Sequence, residues 1–263
     1  MTTTPELRRF TGKTAIVTGA GSGIGQATAI AFAREGATIY GVDVATQGLR
    51  DSAAAIADSL GRFIPLNLDV SEPAEIADAA ARALQESGRV DVLVNNAGIN
   101  IAKRIADLEV GEWNRILDTN LRSVYLFSKA VWPHFVAQKS GIIVNIASVM
   151  GQVGGVGSPA YCASKAGMIM LSRCLAKDGA AAGIRVNSVC PGYIDTPIME
   201  KQLRESADPK AAREAIVAKM PSGRMGSSWD IASGVLFLAS ADAAYISGTE
   251  LTIDGAVTAT QID

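Results

Sequence analysis

The chain is poor in the residues from which metal centres and disulfide frameworks are built. It has one histidine, His134, and three cysteines, Cys162, Cys174 and Cys190, with no C-x-x-C pair among them. A single histidine excludes a His-rich metal site, and it leaves Ser-His catalysis without support. An odd number of scattered cysteines does not suit a secreted disulfide framework, so reduced thiols in a cytoplasmic protein are expected. No stretch reaches the roughly 18 apolar residues of a membrane span, and residues 1–10 carry charge without the apolar core of a targeting signal. Excess charge is missing as well. A net charge of -2 with no long basic run argues against nucleic acid or an anionic membrane as partner, and the expected ligand is a small molecule.

What the chain does have is apolar mass and glycine. With 48% hydrophobic residues over 263 positions it can bury the core of one large α/β domain, without linker, repeat or low-complexity tract. The first unit sets the plan. Ala15-Ile16-Val17 is a short β-branched run that stops at Thr18-Gly19 and reads as a buried strand. Residues 26–35 then read as a helix closed by Gly36. Between them lies Ala20-Gly21-Ser22-Gly23-Ile24-Gly25. A strict G-x-G-x-x-G is not present, yet a glycine loop between strand and helix lets an anion approach backbone N–H groups that a Cβ would shield. Gly19, Ser22, Gly23, Ile24 and Gly25 are therefore read as a phosphate cradle.

The alternation continues. Strands are expected at 38–42, ending in Asp43; at 63–68, ending at Asp69; at 90–94, ending in Asn95-Asn96-Ala97-Gly98; and at 142–146, 184–190 and 250–253. Helices are expected up to 60, from an N-cap at Ser71 to Gly88, over 112–138 with a bend or restart at Pro133, from Pro159 to about 182, and over 229–240. Residues 193–226, with Pro197, Pro209 and Pro221 as breakers, read as an irregular, mobile lid. Strands alternating with helices imply right-handed crossovers, hence a doubly wound, mostly parallel, seven-stranded, Rossmann-like sheet in a single domain.

Two further features carry chemistry. Tyr161 and Lys165 are four apart near a helix start and share a face. An ammonium beside a phenol favours the phenolate, which would draw the tyrosine down from about 10 toward working pH as a general acid/base. Ser148 follows the fifth strand at the same crevice as the glycine loop and can donate to a substrate oxygen.

Together, residues 18–25, Asn95-Asn96-Ala97-Gly98, Asn120, Ser148, Tyr161-Cys162-Ala163-Ser164-Lys165 and Pro191-Gly192 resemble, in order, the motifs of the short-chain dehydrogenase/reductase family. The resemblance spans residues 13–255. It implies that Tyr161 exchanges a proton with the substrate oxygen, that Lys165 lowers its pKa and binds the nicotinamide ribose, that Ser148 polarises the carbonyl, and that Asn120 holds a water linking Lys165 to solvent. Locally, Asn120 also reads as an Asn that repairs an interrupted helix bond. By the same resemblance Asn96 and Gly98 line the adenosine-ribose and pyrophosphate side, Asp69 and Val70 bracket the adenine, Pro191 and Gly192 approach the nicotinamide, and Ile194 and Thr196 contact its carboxamide. Asp43 matches the acidic residue that accepts from the adenosine ribose hydroxyls, which implies NAD rather than NADP.

His134 and Cys162 are read as structural, and Glu200, Lys201, Arg204 and Glu205 as a solvated helix face. Met150, Val153, Tyr193, Ile198, Met199 and Met220 offer an apolar cleft. The expectation is an NAD(H)-dependent oxidoreductase interconverting a secondary alcohol and a ketone, assembled as a homodimer or homotetramer through its two long helices and last strand. The alternatives are a 3-oxoacyl thioester reductase, a sugar or polyol dehydrogenase, and, ranked low, a non-catalytic dinucleotide-binding regulator.

Overall fold

The computed structural model describes residues 8–259, so that most of the charged start read as lacking a targeting signal lies outside it. The first strand, β1 (Thr14–Thr18), is buried along its whole length. That follows from its place at the centre of a parallel sheet, where both faces are covered and the sequence has no reason to alternate. Around it the chain lays down β2 (Thr38–Asp43), β3 (Arg62–Asn67), β4 (Val92–Asn95), β5 (Gly141–Ile146) and β6 (Ile184–Pro191). A two-residue β7 (Ile194–Asp195), a two-residue β8 (Gly226–Ser227) and β9 (Glu250–Ile253) follow. The main sheet runs β3-β2-β1-β4-β5-β6-β9, and every pairing in it is parallel.

The helices are α1 (Gly23–Arg34), α2 (Thr46–Ile56), α3 (Pro73–Ser87), α4 (Val110–Leu117), α5 (Ser123–Gln138), α6 (Pro159–Gly179), α7 (Pro197–Arg204), α8 (Pro209–Val217) and α9 (Ser228–Ala239). One face of the sheet packs Val17, Val94 and Val144 against Phe32 of α1, Leu49 of α2 and Val235 of α9. The other packs Ile16, Leu93 and Ile143 against Ile76 of α3 and Phe127, Val131 and Phe135 of α5. Alternate residues of each strand thus feed opposite layers, as the pleat requires. Each such fully buried aliphatic contributes about 1.5–3 kcal/mol. The order reverses direction at β1, from β2 and β3 on one side to β4 on the other. The carboxyl ends of β1 and β4 therefore flank the crevice where an open α/β sheet takes its ligand.

Four local expectations are corrected. Pro133 lies inside α5 without ending it; the interruption comes earlier, as a π-helical turn over Asp118–Arg122 between α4 and α5. Ser71 does not cap α3, because its N–H and hydroxyl are both held by Asp69 Oδ1 at 2.8 Å and the cap position falls to Glu72. The second helix stops at Ile56 rather than continuing to 60. Residues 193–226 are not irregular: Pro197 and Pro209 open α7 and α8 at positions where a missing N–H costs nothing, and β7 pairs with β8 to close the segment at its base. No helix among the described residues is long and apolar enough to cross a membrane.

Candidate active site

The glycine loop is built by steric necessity. Gly19 and Gly23 take left-handed φ values of 66° and 54°, and a Cβ on Gly25 would stand 2.0 Å from the Gly19 carbonyl oxygen. Ser22 occupies the N-cap of α1 in extended conformation, and its hydroxyl makes no capping bond. The first-turn N–H groups of α1 are thus left without a capping side chain, which suits a pyrophosphate. Thr18 Oγ1 accepts from the N–H groups of Asn96 (2.9 Å) and Ala97 (3.0 Å), while Asn96 Nδ2 donates to the carbonyls of Thr18 (2.9 Å) and Gly19 (3.3 Å). Asn96 is spent on bolting β4 to the loop.

Asp43 stands at the flank of the same loop. Its Oδ2 accepts from Gly21 N–H at 2.9 Å and its Oδ1 from Ala45 N–H at 2.8 Å, so it both steadies its turn and presents a carboxylate beside the cradle. The exposed neighbours Ser22, Val44, Ala45 and Thr46 bring no positive charge to it. Asp69 is exposed, its carboxylate engaged by Ser71, and Val70 is buried in the layer under α3. The residues thus fit a nicotinamide dinucleotide: an open anion cradle with an unopposed carboxylate at the expected ribose position.

The polar cluster lies beyond β4 and β5. Ser148 follows β5, buried, with its Oγ accepting from Met150 N–H at 3.1 Å and close enough to the Tyr161 hydroxyl to pull its pKa down. Tyr161 sits in the first turn of α6, opened by Pro159. One turn on, Lys165 is only 3% exposed; its Nζ donates to the Ile146 carbonyl at 2.6 Å and lies 5.6 Å from the Tyr161 ring centroid. Asn120, fully buried in the π-helical turn, accepts from Ile99 N–H at 2.8 Å and donates to Ile99 O at 2.9 Å and Ser164 Oγ at 3.1 Å. It therefore repairs no bond of its own helix but ties the loop after β4 to α6. Ser164 in turn donates to the Tyr161 carbonyl at 2.7 Å. Gly98 adjoins this cluster: a Cβ there would lie 3.3 Å from Asn120 Oδ1 and 3.6 Å from Lys165 Nζ.

The expected electrostatics are corrected. Burial pushes the Tyr161 phenol up to about 12, and the hydrogen bond with Ser148 pulls it back only in part. Burial pushes Lys165 down to about 8, against a smaller pull from Cys190 in the other direction. The ammonium is engaged with a backbone carbonyl, and burial rather than the cation sets the direction in which the phenol moves. Still protonated at working pH, Tyr161 can donate its hydroxyl to an oxygen placed between it and Ser148.

The nicotinamide-side residues lie where β6 ends. A Cβ on Gly192 would meet Asp254 Cβ at 2.7 Å, so the close approach made there is to the chain after β9. Ile194 is buried and pairs with Gly226, and Thr196 caps α7 by accepting from Met199 N–H at 3.4 Å. Around the cleft Val153 and Ile198 are exposed, whereas Met220 is buried. Cys162 is partly exposed rather than a core residue. His134 is structural, its Nε2 accepting from Val90 N–H at 3.3 Å. The sequence reading passed over Ser164 and the Ile99 and Ile146 backbone groups, because their roles depend on partners 21, 44 and 19 residues away.

Residues 19–258 match the family model described as Enoyl-(Acyl carrier protein) reductase. A 3-oxoacyl-(acyl-carrier-protein) reductase of Thermotoga maritima is 40% identical over 94% of this chain and 98% of its own. That of Escherichia coli is 42% identical over 94% and 97%. A cis-4-hydroxycyclohexanecarboxylate dehydrogenase of Sinomonas cyclohexanicum is 40% identical over 95% and 98%. The crystal structure of levodione reductase superposes with a TM-score of 0.91 at 35% identity, covering 96% of this chain and 100% of that one. From the motifs, the parallel sheet and these relatives it follows that the chain belongs to the short-chain dehydrogenase/reductase family and is an oxidoreductase acting on CH–OH groups.

Proposed function

We propose that this oxidoreductase reduces a ketone to a secondary alcohol, or the reverse, with Tyr161 as acid/base, Ser148 as the second donor to the reacting oxygen, and Lys165 and Asn120 completing the site. The observation that carries the reading is the Ser148–Tyr161 hydroxyl pair beside buried Lys165. A nicotinamide dinucleotide held by the glycine loop supplies or accepts the hydride. In reduction, Tyr161 Oη passes its proton to the carbonyl oxygen while Ser148 Oγ–H donates to the same atom. Lys165, buried and held at Ile146, is the nearby cation that favours the phenolate left behind. Asn120 fixes Ile99 and Ser164, and so holds the wall facing the reacting atoms.

Among substrate classes, the relatives support 3-oxoacyl thioester reduction better than the general alcohol/ketone reading placed first on the sequence. A second class, cyclic ketones and their alcohols, is favoured by the cyclohexanecarboxylate dehydrogenase and levodione reductase relatives. Acetoacetyl thioesters and substituted cyclohexanones, assayed side by side, test this. A thioester preference of at least tenfold in kcat/KM supports the first class, and the opposite preference replaces it with the second.

For the cofactor we propose NAD over NADP, on Asp43. A 2′-phosphate would bring nearly two negative charges to this carboxylate, and unit charges 4 Å apart repel by about 1 kcal/mol in water and about 4 at an effective dielectric of 20. The proposed assembly is a homodimer or homotetramer through α5, α6 and β9, on which Tyr125, Val136 and Met170 are exposed apolar side chains of the two helices. Sedimentation at micromolar concentration as a monomer would contradict it. A cytoplasmic location completes the proposal.

A further inference from the structure

The segment between β7 and β8 is held together differently from the rest of the molecule. The long helices adhere through several buried apolar side chains, but α8 buries none and α7 buries only Leu203. One guanidinium reaches across them. Arg213 of α8 donates from Nη1 and Nη2 to the two carboxylate oxygens of Asp195, at 3.1 Å each. Its Nη2 also donates to Glu200 of α7, and Nη1 lies 3.9 Å from Met225 Sδ, just before β8. A forked, two-carboxylate arrangement of this kind exploits what distinguishes arginine from lysine. Asp195 is followed directly by Thr196 and Pro197. These lie on the glycine loop, for a Cβ on Gly23 would be 3.4 Å from Pro197 Cδ and 3.6 Å from Thr196 Cβ. The inner edge of the segment therefore rests on the turn that opens α1.

We propose that Arg213 is a positioning residue for the dinucleotide, clasping Asp195 and Glu200 so that Thr196 and Pro197 are held over the glycine loop. The inference rests on the reading of that loop as the dinucleotide site. It makes the segment one electrostatically fastened unit, so its order depends on ionic strength and on a single side chain.

The test has two arms. In the first, ligand-free wild type and Arg213→Gln are digested with thermolysin at 0.05 M and 1 M NaCl, and cleavage within residues 197–220 is followed. The wild-type rate, relative to the variant, should rise at least fivefold with salt and approach that of Arg213→Gln. In the second, NADH binding is titrated by fluorescence. Arg213→Gln should raise the dissociation constant and the KM for dinucleotide at least tenfold while kcat changes less than threefold, and Arg213→Lys should recover part of the loss. Equal cleavage rates at both salts together with unchanged NADH affinity would overturn the clasp. If Arg213→Gln does not fold, Asp195→Asn in both arms and the salt series on wild type decide the matter in the same way. Failure of wild type to bind NADH would overturn the dinucleotide reading instead, and the proteolysis arm would still read the clasp.

Discussion

The two ends of the central sheet treat buried charge in opposite ways. At the amino ends of β1 and β4, Asp91 is 6% exposed and accepts from Thr14 N–H at 2.9 Å, Lys13 Nζ at 3.1 Å and Arg89 Nε at 2.8 Å. Burial acts to raise its carboxyl, and the bonds from Arg89, Thr14 and Lys13 more than reverse this, so it titrates below the ordinary carboxylate range. At the carboxyl ends, Tyr161 has only Ser148 to set against burial and Lys165 only the distant pull of Cys190, and both move toward their neutral forms. The difference teaches that burial sets the direction where partners are few and is overruled where charged partners gather. One end is saturated and serves stability. The other is left short of partners and is where chemistry can be done.

The largest expected effect comes from removing the short-handed group itself. Tyr161→Phe keeps the ring and deletes the transferable proton, so kcat should fall at least about 10²-fold, with NADH affinity within twofold of wild type. Near-wild-type turnover would mean that this end of the sheet is no more chemical than the other. Next is Asp43, at the carboxyl end of β2, which has two backbone donors and acceptor capacity to spare. A kcat/KM preference for NAD over NADP of at least about 10²-fold is expected, from roughly 3 kcal/mol of discrimination. Asp43→Ala should narrow it by weakening NAD and admitting NADP; equal use of both by wild type would contradict the assignment.

The saturated end predicts a stability effect without a chemical one. Asp91→Asn leaves Lys13 and Arg89 without their acid. Because those partners are close to half exposed, the cost should be about 2 kcal/mol rather than the 3–5 of a fully buried pair, read from the urea midpoint at pH 7. kcat should be unchanged. The pH dependence has a definite sign. A carboxyl depressed in the folded state stabilises fully above its unfolded value, near 3.8, and the contribution is lost as pH falls from there through the folded value. Wild type should therefore lose its advantage over Asp91→Asn below about pH 4. The smallest effect is spectroscopic: without dinucleotide, wild type minus Tyr161→Phe should show no tyrosinate absorbance at 295 nm below about pH 10, since the phenol is pushed up to about 12.

How much of this was legible follows from how far each feature reaches. The glycine loop, the strand alternation and the Tyr161–Lys165 spacing are local patterns, and the sequence showed them. Asn120 was visible as a residue but not in its action, because Ile99 and Ser164 meet it only in the folded chain. The direction of the Tyr161 shift was misread for the same reason: neighbourhood along the helix suggested pairing, while burial and the Ile146 carbonyl are tertiary facts. Pro197 and Pro209 read as breakers from the sequence, although proline at a helix start is as regular a signal as proline at its end. The clasp by Arg213 could not be seen, for charged residues spaced this way also make an ordinary solvated helix.

The central claim is that hydride moves between a dinucleotide held by the glycine loop and a carbon whose oxygen faces Ser148 and Tyr161. A single turnover with NADH deuterated at the transferring C4 position, run with an acetoacetyl thioester and with a cyclohexanone, tests it most directly. The account predicts that with at least one of them the product carries one deuterium on the carbinol carbon, and that Tyr161→Phe slows its appearance at least about 10²-fold while still binding NADH. Wild-type product without the label, or the same rate of labelling in Tyr161→Phe, would contradict it.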